Sequence, residues 1–404
     1  MELSKLYGEL DDYTFFESRI ENIKNTFFKN EGCYPTHIFS SSGRAEILGN
    51  HTDHNNGLVM VATISCDIVA GVCKSDDNFV KIYSLEYQPV VVNLNELEVN
   101  SNEYGTSNAL VKGIAKSITQ KGYKINGFTA YTTSNIFKGA GVSSSAAFEV
   151  LVAEIFNTLY LDGKLTDIDK AIISKYAENV YFLKPCGLLD QSGIAIGSLI
   201  SIDFIDTDYP TITKLNPPKN YSIVITNTGG DHSTLTNHYA SIKNEMQQIA
   251  SHFNKKVLRE VDYSLFIKEI PLLTKKYSSR AILRALHFYR ENQRVLRAVN
   301  CLQVNDTPGF LEEINQSGLS SLSVLQNCYV PTETNQPVVL GIELSREFIK
   351  NGAVRVHGGG FAGSIIAFVE NSEVDNYICK MQEVFGTNNV FKANIRNVGT
   401  TLIK

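Results

Sequence analysis

Tryptophan is absent from the 404 residues, methionine occurs four times, proline only ten times, and neither charge sign dominates. So few prolines, with no tract of Gly, Ser or Pro, exclude a collagen-like or low-complexity chain. Lysine plus arginine (37) nearly balances aspartate plus glutamate (42), for a net charge of −5. No basic stripe is therefore laid out for nucleic acid. No stretch reaches the roughly 18 apolar residues that a membrane-spanning helix needs. The start, MELSKLYGELDDY, lacks a basic region followed by an apolar one, so the expectation is a protein neither exported nor embedded. The cysteines, Cys33, Cys66, Cys73, Cys186, Cys301, Cys328 and Cys379, are odd in number and never spaced as C-x-x-C. That argues against both a disulfide framework and a structural zinc site, and they read as reduced thiols in a cytoplasm.

What is present is an ordinary globular composition, 43% apolar and 20% charged, with length for about two to three domains at roughly 100–200 residues each. A small-molecule partner is the default for such a chain. Residues 57–97 are rich in Val, Ile and Tyr in short alternating runs and read as sheet. Helical spacing follows at 107–122, where Leu110, Ile114 and Ile118 share a face, and a strand is expected at about 127–133. A glycine-serine loop at 138–145 opens into a helix with Ala147, Val150, Leu151 and Ile155 on one face. Thr166 and Asp169 form a capping-box pair for a helix running toward Pro185, and GSLISIDF reads as a strand. Pro210, Pro217 and Pro218 make 206–220 the candidate boundary, dividing the chain into 1–207 and 208–404. A strand at 221–226, amphipathic helices within 238–325, a helix near 341–350 and a strand, glycine loop, strand, helix, strand ending complete the pattern. This mixed order predicts α+β layers rather than a doubly wound sheet.

Four segments carry residues that packing alone does not ask for. The first, Ser42-Gly43-Arg44-Ala45-Glu46-Ile47-Leu48-Gly49-Asn50-His51-Thr52-Asp53-His54-Asn55-Asn56-Gly57, sets charged and amide groups between two apolar strands. On a turn these suit a polyhydroxylated ligand, whose hydroxyls both donate and accept. They equally suit a polar hairpin loop; a metal held by His51, Asp53 and His54 is a third and lesser reading, since the other six histidines are scattered singly and no local pair completes a site. The second, Lys138-Gly139-Ala140-Gly141-Val142-Ser143-Ser144-Ser145, stands at a helix start, where glycines and unpaired N–H groups favour a phosphate. It lacks the Gly-Lys-Ser/Thr of a Walker loop, and a capped helix after a loop is the plainer reading. The third, Gly358-Gly359-Gly360-Phe361-Ala362-Gly363, contains G-x-G-x-x-G, but β-branched SIIAFV follows where a dinucleotide site requires a helix. A tight glycine hairpin remains, beside a phosphate or purely structural. The fourth is Glu178 with Cys186-Gly187-Leu188-Leu189-Asp190-Gln191; its carboxylates suit orienting a hydroxyl or holding magnesium, or are simply solvated.

In this order and at these separations the four segments resemble the GHMP small-molecule kinases, and within them the galactokinase branch. Arg284-Ala285-Leu286-His287 with Glu291 and Arg294 adds a further match, and the resemblance runs from about residue 40 to the end. It implies a two-domain fold, ribosomal protein S5 domain 2-like at the N-terminus and a ferredoxin-like α/β sandwich at the C-terminus, with the site in the cleft between them. It implies transfer of the ATP γ-phosphoryl group to a sugar's anomeric hydroxyl, with ATP and magnesium as cofactors, in cytoplasmic galactose metabolism by a monomer or weak homo-oligomer. By position, Asp190 would accept or orient the hydroxyl proton and Arg44 would keep it ionised. Asn50, His51, Asp53, Gly187 and Tyr239 would bind the sugar. The loop Gly139, Ala140, Gly141, Val142, Ser143, Ser144 and Ser145 would hold the phosphates, with Gly358, Gly359, Gly360 and Gly363 as the third glycine motif. Ser144, Ser145 and Glu178 would hold magnesium.

The chain departs from the family pattern at Asn50, where Glu is usual, at His54 for Tyr, at Phe137 for Pro and at Ala362 for Gly; residues 226–239 lack a following run of arginines. An amide at position 50 hydrogen-bonds either a hydroxyl or an acid. Galactose is the favoured substrate, with galacturonate, N-acetylgalactosamine or arabinose as alternatives. A non-catalytic sugar-binding sensor is the reading from another class.

Overall fold

The computed structural model describes residues 3–8, 12–84, 87–136, 141–229 and 235–403. Strands β1 (His37–Leu48) and β2 (Leu58–Lys74) are buried along almost their whole length. Burial on both faces is what a near-continuous apolar run such as LVMVATIS requires, and it makes β2 a central strand. Around it lie β3 (Phe79–Ser84), β4 (Val90–Asn93), β5 (Phe128–Ser134), β6 (Leu199–Asp203) and β7 (Thr211–Leu215). Their order is β1-β2-β5-β3-β4, with β6 on the remaining part of β2 and β7 outside β6; all pairs are antiparallel except β3 with β5. A second sheet is made by β8 (Tyr221–Asn227), β9 (Gly352–His357), β10 (Ser364–Glu370) and β11 (Val390–Ala393), ordered β11-β8-β10-β9. Two-residue β12 (Thr401–Leu402) then returns to pair with β1 of the first sheet.

The helices are α1 (Leu3–Tyr7), α2 (Thr14–Glu31), α3 (Ser107–Gln120), α4 (Ser144–Tyr160), α5 (Asp167–Tyr176), α6 (Leu189–Ile196), α7 (Thr236–His252), α8 (Tyr263–Leu273), α9 (Ser279–Gln303), α10 (Thr307–Ser320), α11 (Pro337–Phe348) and α12 (Val374–Phe385). None is long and apolar enough to cross a membrane, among the described residues. The α+β expectation holds, and so do the Thr166–Asp169 capping box and the strand after the third glycine motif. Two local expectations change. The helix begun at Thr166 leaves α geometry at Ala177 for a π-turn through Tyr181, and the proline-marked segment 206–220 contains β7, which stays in the first sheet.

A buried carboxylate ties the chain ends to that sheet. Asp67 on β2 accepts from Arg19 at 2.6 Å, Tyr7 Oη at 2.7 Å and Ser40 Oγ at 2.5 Å, while Arg396 stands 3.7 Å away and donates to Ser40 Oγ at 2.6 Å. Ionised groups sealed from water hold only with such complete pairing.

One side of α9 supports the turn between β1 and β2. Asn292 Oδ1 accepts from Leu58 N at 2.7 Å, and Glu291 Oε1 accepts from Gly49 N at 3.1 Å and Ser317 Oγ at 2.6 Å. His287 Nε2 donates to the Asn50 carbonyl at 3.0 Å, and Nδ1 lies 2.9 Å from Ser320 Oγ. The apolar stripe of α9 thus carries a second, polar row whose targets are backbone atoms of the turn. Burial pushes His287 down to about 4, and Glu291 is held at about 2 because His287, Arg294 and Arg355 outweigh its burial. The unfolded chain binds a proton at His287 near the ordinary 6.5, the folded chain near 4, so this contribution to stability is present above pH 6.5 and lost as pH falls toward 4. At about 1.4 kcal/mol per unit the loss is on the order of 3 kcal/mol. We expect His287→Gln to cost about 1 kcal/mol at pH 7.5 and to flatten the pH dependence of denaturant midpoints between 6.5 and 4. Unchanged slopes would remove His287 from the acid transition.

Candidate active site

The residues of the first segment divide between two structures. Arg44 and Glu46 were expected on a turn; they lie instead on β1, and the turn begins only at Gly49. Alternation along a strand puts both side chains on one face, and no register shift intervenes between them. The turn is closed by Thr52 Oγ1, which donates to the carbonyls of Gly49 at 2.8 Å and Leu58 at 2.7 Å.

Arg44, 5% exposed, meets Asp190 at the start of α6 through two parallel bonds, Nε to Oδ1 at 2.7 Å and Nη2 to Oδ2 at 3.0 Å. A fork-to-carboxylate pair fixes both planes. Arg44 Nη1 also donates to the Gly141 carbonyl at 2.6 Å, and Ser143 Oγ donates to Asp190 Oδ2. Burial opposes the charge on Asp190, but Arg44 and Ser143 outweigh it and hold the carboxyl below its ordinary range. About a third of the Asp190 side chain stays accessible, so the charge is both fixed and reachable.

The second segment is described from Gly141 onward; Phe137, Lys138, Gly139 and Ala140 lie outside the described residues. Ser143 precedes α4 with φ +61° and gives its hydroxyl to Asp190 rather than to the helix. Ser144 is exposed at the helix start, where free N–H groups and the helix dipole favour an anion. Ser145 Oγ lies 3.3 Å from Glu178 Oε1 on the π-turn. Glu178 is buried and also bonds Lys184 Nζ at 2.7 Å and Gln191 Nε2 at 2.8 Å. Gln191 Nε2 reaches Glu149 Oε2 at 3.2 Å, and Glu149 Oε1 is a buried oxygen without a partner among the described residues. Burial, and then the charge of Glu178, raise the Glu149 carboxyl well above its ordinary value. Glu149 has no role in the sequence reading, where Gln191 stands only as the last residue of the fourth segment; the signal for Glu149 was an acid between Phe148 and Val150 on a largely apolar helix.

The third glycine motif is the hairpin between β9 and β10, and the first segment docks on it. Asn50 Nδ2 donates to the Gly358 carbonyl at 2.7 Å, His51 Nε2 to that of Gly359 at 2.9 Å, and Tyr239 Oη to that of Gly360 at 2.9 Å. Gly360 has φ +80°, and a Cβ there would fall 2.1 Å from the Asn327 carbonyl. Gly363 is the residue at which the Thr228 hydroxyl and amide are received, at 2.6 and 2.7 Å. Burial pushes Tyr239 up to about 12 and His51 down to about 4, so both are neutral in the physiological range.

Asp53 opens the 3-10 turn Asp53–Asn55 and accepts from His54 N at 2.8 Å. Its carboxylate fills the space where Gly187 has no side chain: a Cβ on Gly187 would come 1.7 Å from Asp53 Oδ2. His51, Asp53 and His54 therefore point to different partners, His54 Nδ1 receiving Asn55 Nδ2 at 2.9 Å. Among the described residues no group of three His, Cys, Asp or Glu side chains is placed to hold a metal ion. Gly187→Ala should displace Asp53 and raise the sugar KM roughly 10–100-fold, with kcat less affected and the fold intact. Unaltered KM would show that Asp53 does not touch the sugar.

Comparison with known proteins agrees with this geometry. Residues 25–74 match the model described as the galactokinase galactose-binding signature, and residues 109–198 match that of the GHMP kinases N terminal domain. A galactokinase of Clostridium perfringens is 29% identical over 385 residues, spanning 91% of this chain and 94% of its own. One from Actinobacillus pleuropneumoniae is 32% identical over 337 residues, spanning 83% and 85%. The solved structure of Lactococcus lactis galactokinase complexed with galactose superposes with a TM-score of 0.82 at 23% identity, covering 95% of this chain and 99% of that one. With the two signature segments matched and this extent of identity, the chain belongs to the galactokinase family.

Proposed function

We propose that the chain transfers the γ-phosphoryl group of ATP to the anomeric hydroxyl of galactose. The observation that carries the reading is the Arg44–Asp190 pair, accessible on one side and bonded through Gly141 and Ser143 to the described end of the glycine-serine loop. Phosphoryl transfer asks a protein mainly for positioning and charge stabilisation. Asp190 orients the sugar hydroxyl and takes its proton; Arg44 keeps Asp190 ionised and stabilises charge that develops beside it. His51, Asp53 beside Gly187, and Tyr239 form the sugar's surroundings, with Asn50 in the wall behind them. The N-terminus of α4 and the residues from Gly139 to Ser145 receive the phosphates.

An oxygen donor set of Ser144, Ser145 and Glu178, beside the unpartnered oxygen of Glu149, fits magnesium, which takes one or two carboxylates and completes its shell with water and substrate phosphates. When bound, magnesium supplies positive charge to the phosphates. None of the seven cysteines is disulfide-bonded, which supports a reducing, cytoplasmic setting.

Consumption of magnesium-ATP with galactose, galacturonate, N-acetylgalactosamine, arabinose and glucose tests the reading. Turnover on galactose is expected, and turnover on none would leave a sugar-binding sensor. Asp190→Asn should lower kcat by roughly 10²–10⁴-fold while galactose binding by calorimetry changes only a few-fold; unchanged turnover would take Asp190 out of the chemistry. The active, ionised Asp190 is present above its lowered pKa and lost as pH falls through it. Arg44→Lys breaks the fork, so the acid limb of kcat should move to higher pH and turnover at pH 7.5 should fall on the order of 10²-fold. An acid limb that stays in place would mean that another group sets it.

A further inference from the structure

Asn50 has no donor left for a ligand. One hydrogen of Nδ2 goes to Glu46 Oε1 at 2.7 Å and the other to the Gly358 carbonyl at 2.7 Å, while Oδ1 accepts from Asn327 Nδ2 at 2.7 Å and Ser321 Oγ at 3.4 Å. The residue is fully buried. An amide used at every position is part of the wall of a site rather than its reading head.

The negative charge absent from residue 50 stands four residues earlier. Glu46 is 6% exposed, and its Oε1 is shared by Asn50 and Arg355 Nη2, the latter at 3.0 Å. Its second oxygen, Oε2, accepts no hydrogen bond among the described residues, which leaves its lone pairs available to a ligand. Strand alternation sets Glu46 beside Arg44 on the face that meets Asp190, and its own N–H donates to His357 Nε2 at 3.1 Å. Burial raises its carboxyl, opposed by Arg355, Arg44 and the Asn50 amide.

From this geometry we infer that Glu46 is the specificity-determining carboxylate of the sugar site, taking a hydroxyl of a neutral sugar on Oε2 and excluding a sugar acid by like charge. The inference rests on the sugar-site reading proposed above and deepens it: the substrate class is neutral hexoses, and uronic acids are rejected. It also separates two roles that one position would otherwise combine, Asn50 binding the glycine hairpin and Glu46 meeting the ligand. Arg355, with Nη1 on the Ile47 carbonyl at 2.8 Å, holds the carboxylate in place from behind.

The test is calorimetric binding of galactose and galacturonate to the full chain without ATP, together with kinetics on both sugars. The wild-type chain should bind galacturonate at least 100-fold more weakly than galactose; equal binding, or binding of neither sugar, overturns the inference without any variant. In Glu46→Gln, which keeps the shape, galactose binding should weaken about 10-fold and galacturonate binding should strengthen, shrinking the ratio by about 100-fold. Glu46→Asp, which keeps the charge, should weaken galactose while still rejecting galacturonate. A purely structural Glu46 would change both sugars by the same factor in Glu46→Gln, in step with any loss of thermal stability, and that result overturns the inference. Binding that discriminates as expected but no phosphoryl transfer to any sugar would instead overturn the kinase reading, so the two failures are distinguishable.

Discussion

The bidentate contact between Arg44 and Asp190 joins three parts of the chain that are distant in sequence. Arg44 is fixed because β1 is buried along nearly all of its length and cannot slide without moving every side chain to the wrong face. Asp190 is fixed because α6 begins one residue before it, and the intervening loop is held by Asn179, which exchanges bonds with Cys186 at 2.7 and 3.4 Å. Gly141 and Ser143 bring in the described end of the glycine-serine loop through the same two side chains. If this pair is broken, Arg44 is left without its carboxylate in a setting with little water, and the loop loses two of its attachments. The charge proposed for the chemistry also holds the architecture together.

A second constraint is the dependence of the signature turn on elements from the other half of the chain. Glu291, His287 and Asn292 from α9, and Gly358 and Gly359 from the β9–β10 hairpin, bond to the turn's backbone and side chains. The turn contains few apolar anchors of its own, and His51 and Asn56 adopt left-handed conformations at φ +59° and +58°. Such conformations persist when surrounding contacts over-determine them, and they gather at functional sites. The side chains of this turn are thereby positioned by rigid helices and strands while residing on a loop.

Much of this was legible in the sequence where local physics decides. The capping box at Thr166, the apolar face of α4 and the glycine hairpin before a β-branched strand each have a short-range cause, and each is present. The resemblance drew the four segments together before any geometry was known. What stayed hidden was long-range. Glu46 read as one polar group on a turn, since nothing local shows that β1 extends through Leu48 or that Arg355, about 300 residues later, would pair with it. Glu149 was hidden for a related reason: a buried acid on an apolar helix has meaning only once Gln191 and Glu178 are seen beside it. The Asp67 cluster, with Tyr7, Arg19 and Arg396, draws on both extremes of the chain, and neither end carries a motif.

That cluster and β12 bear on the order in which the molecule can be assembled during synthesis. β1 is made long before its edge partner: Phe39 and Ser40 pair with Leu402 and Thr401, and the isolated bridge from Ile64 to Ile395 crosses a similar span. Contacts of such separation form late, because the intervening loop must be closed before they give anything back. Until residues 395–402 are made, one edge of β1 waits without β12 and the Asp67 cluster without Arg396. The nascent first sheet therefore keeps an open edge at β1 until β12 is made, the condition under which strands pair with the wrong neighbour. Completion comes from a segment of about eight residues around Arg396 and Thr401, which acts as the last seal on a sheet begun some 350 residues earlier.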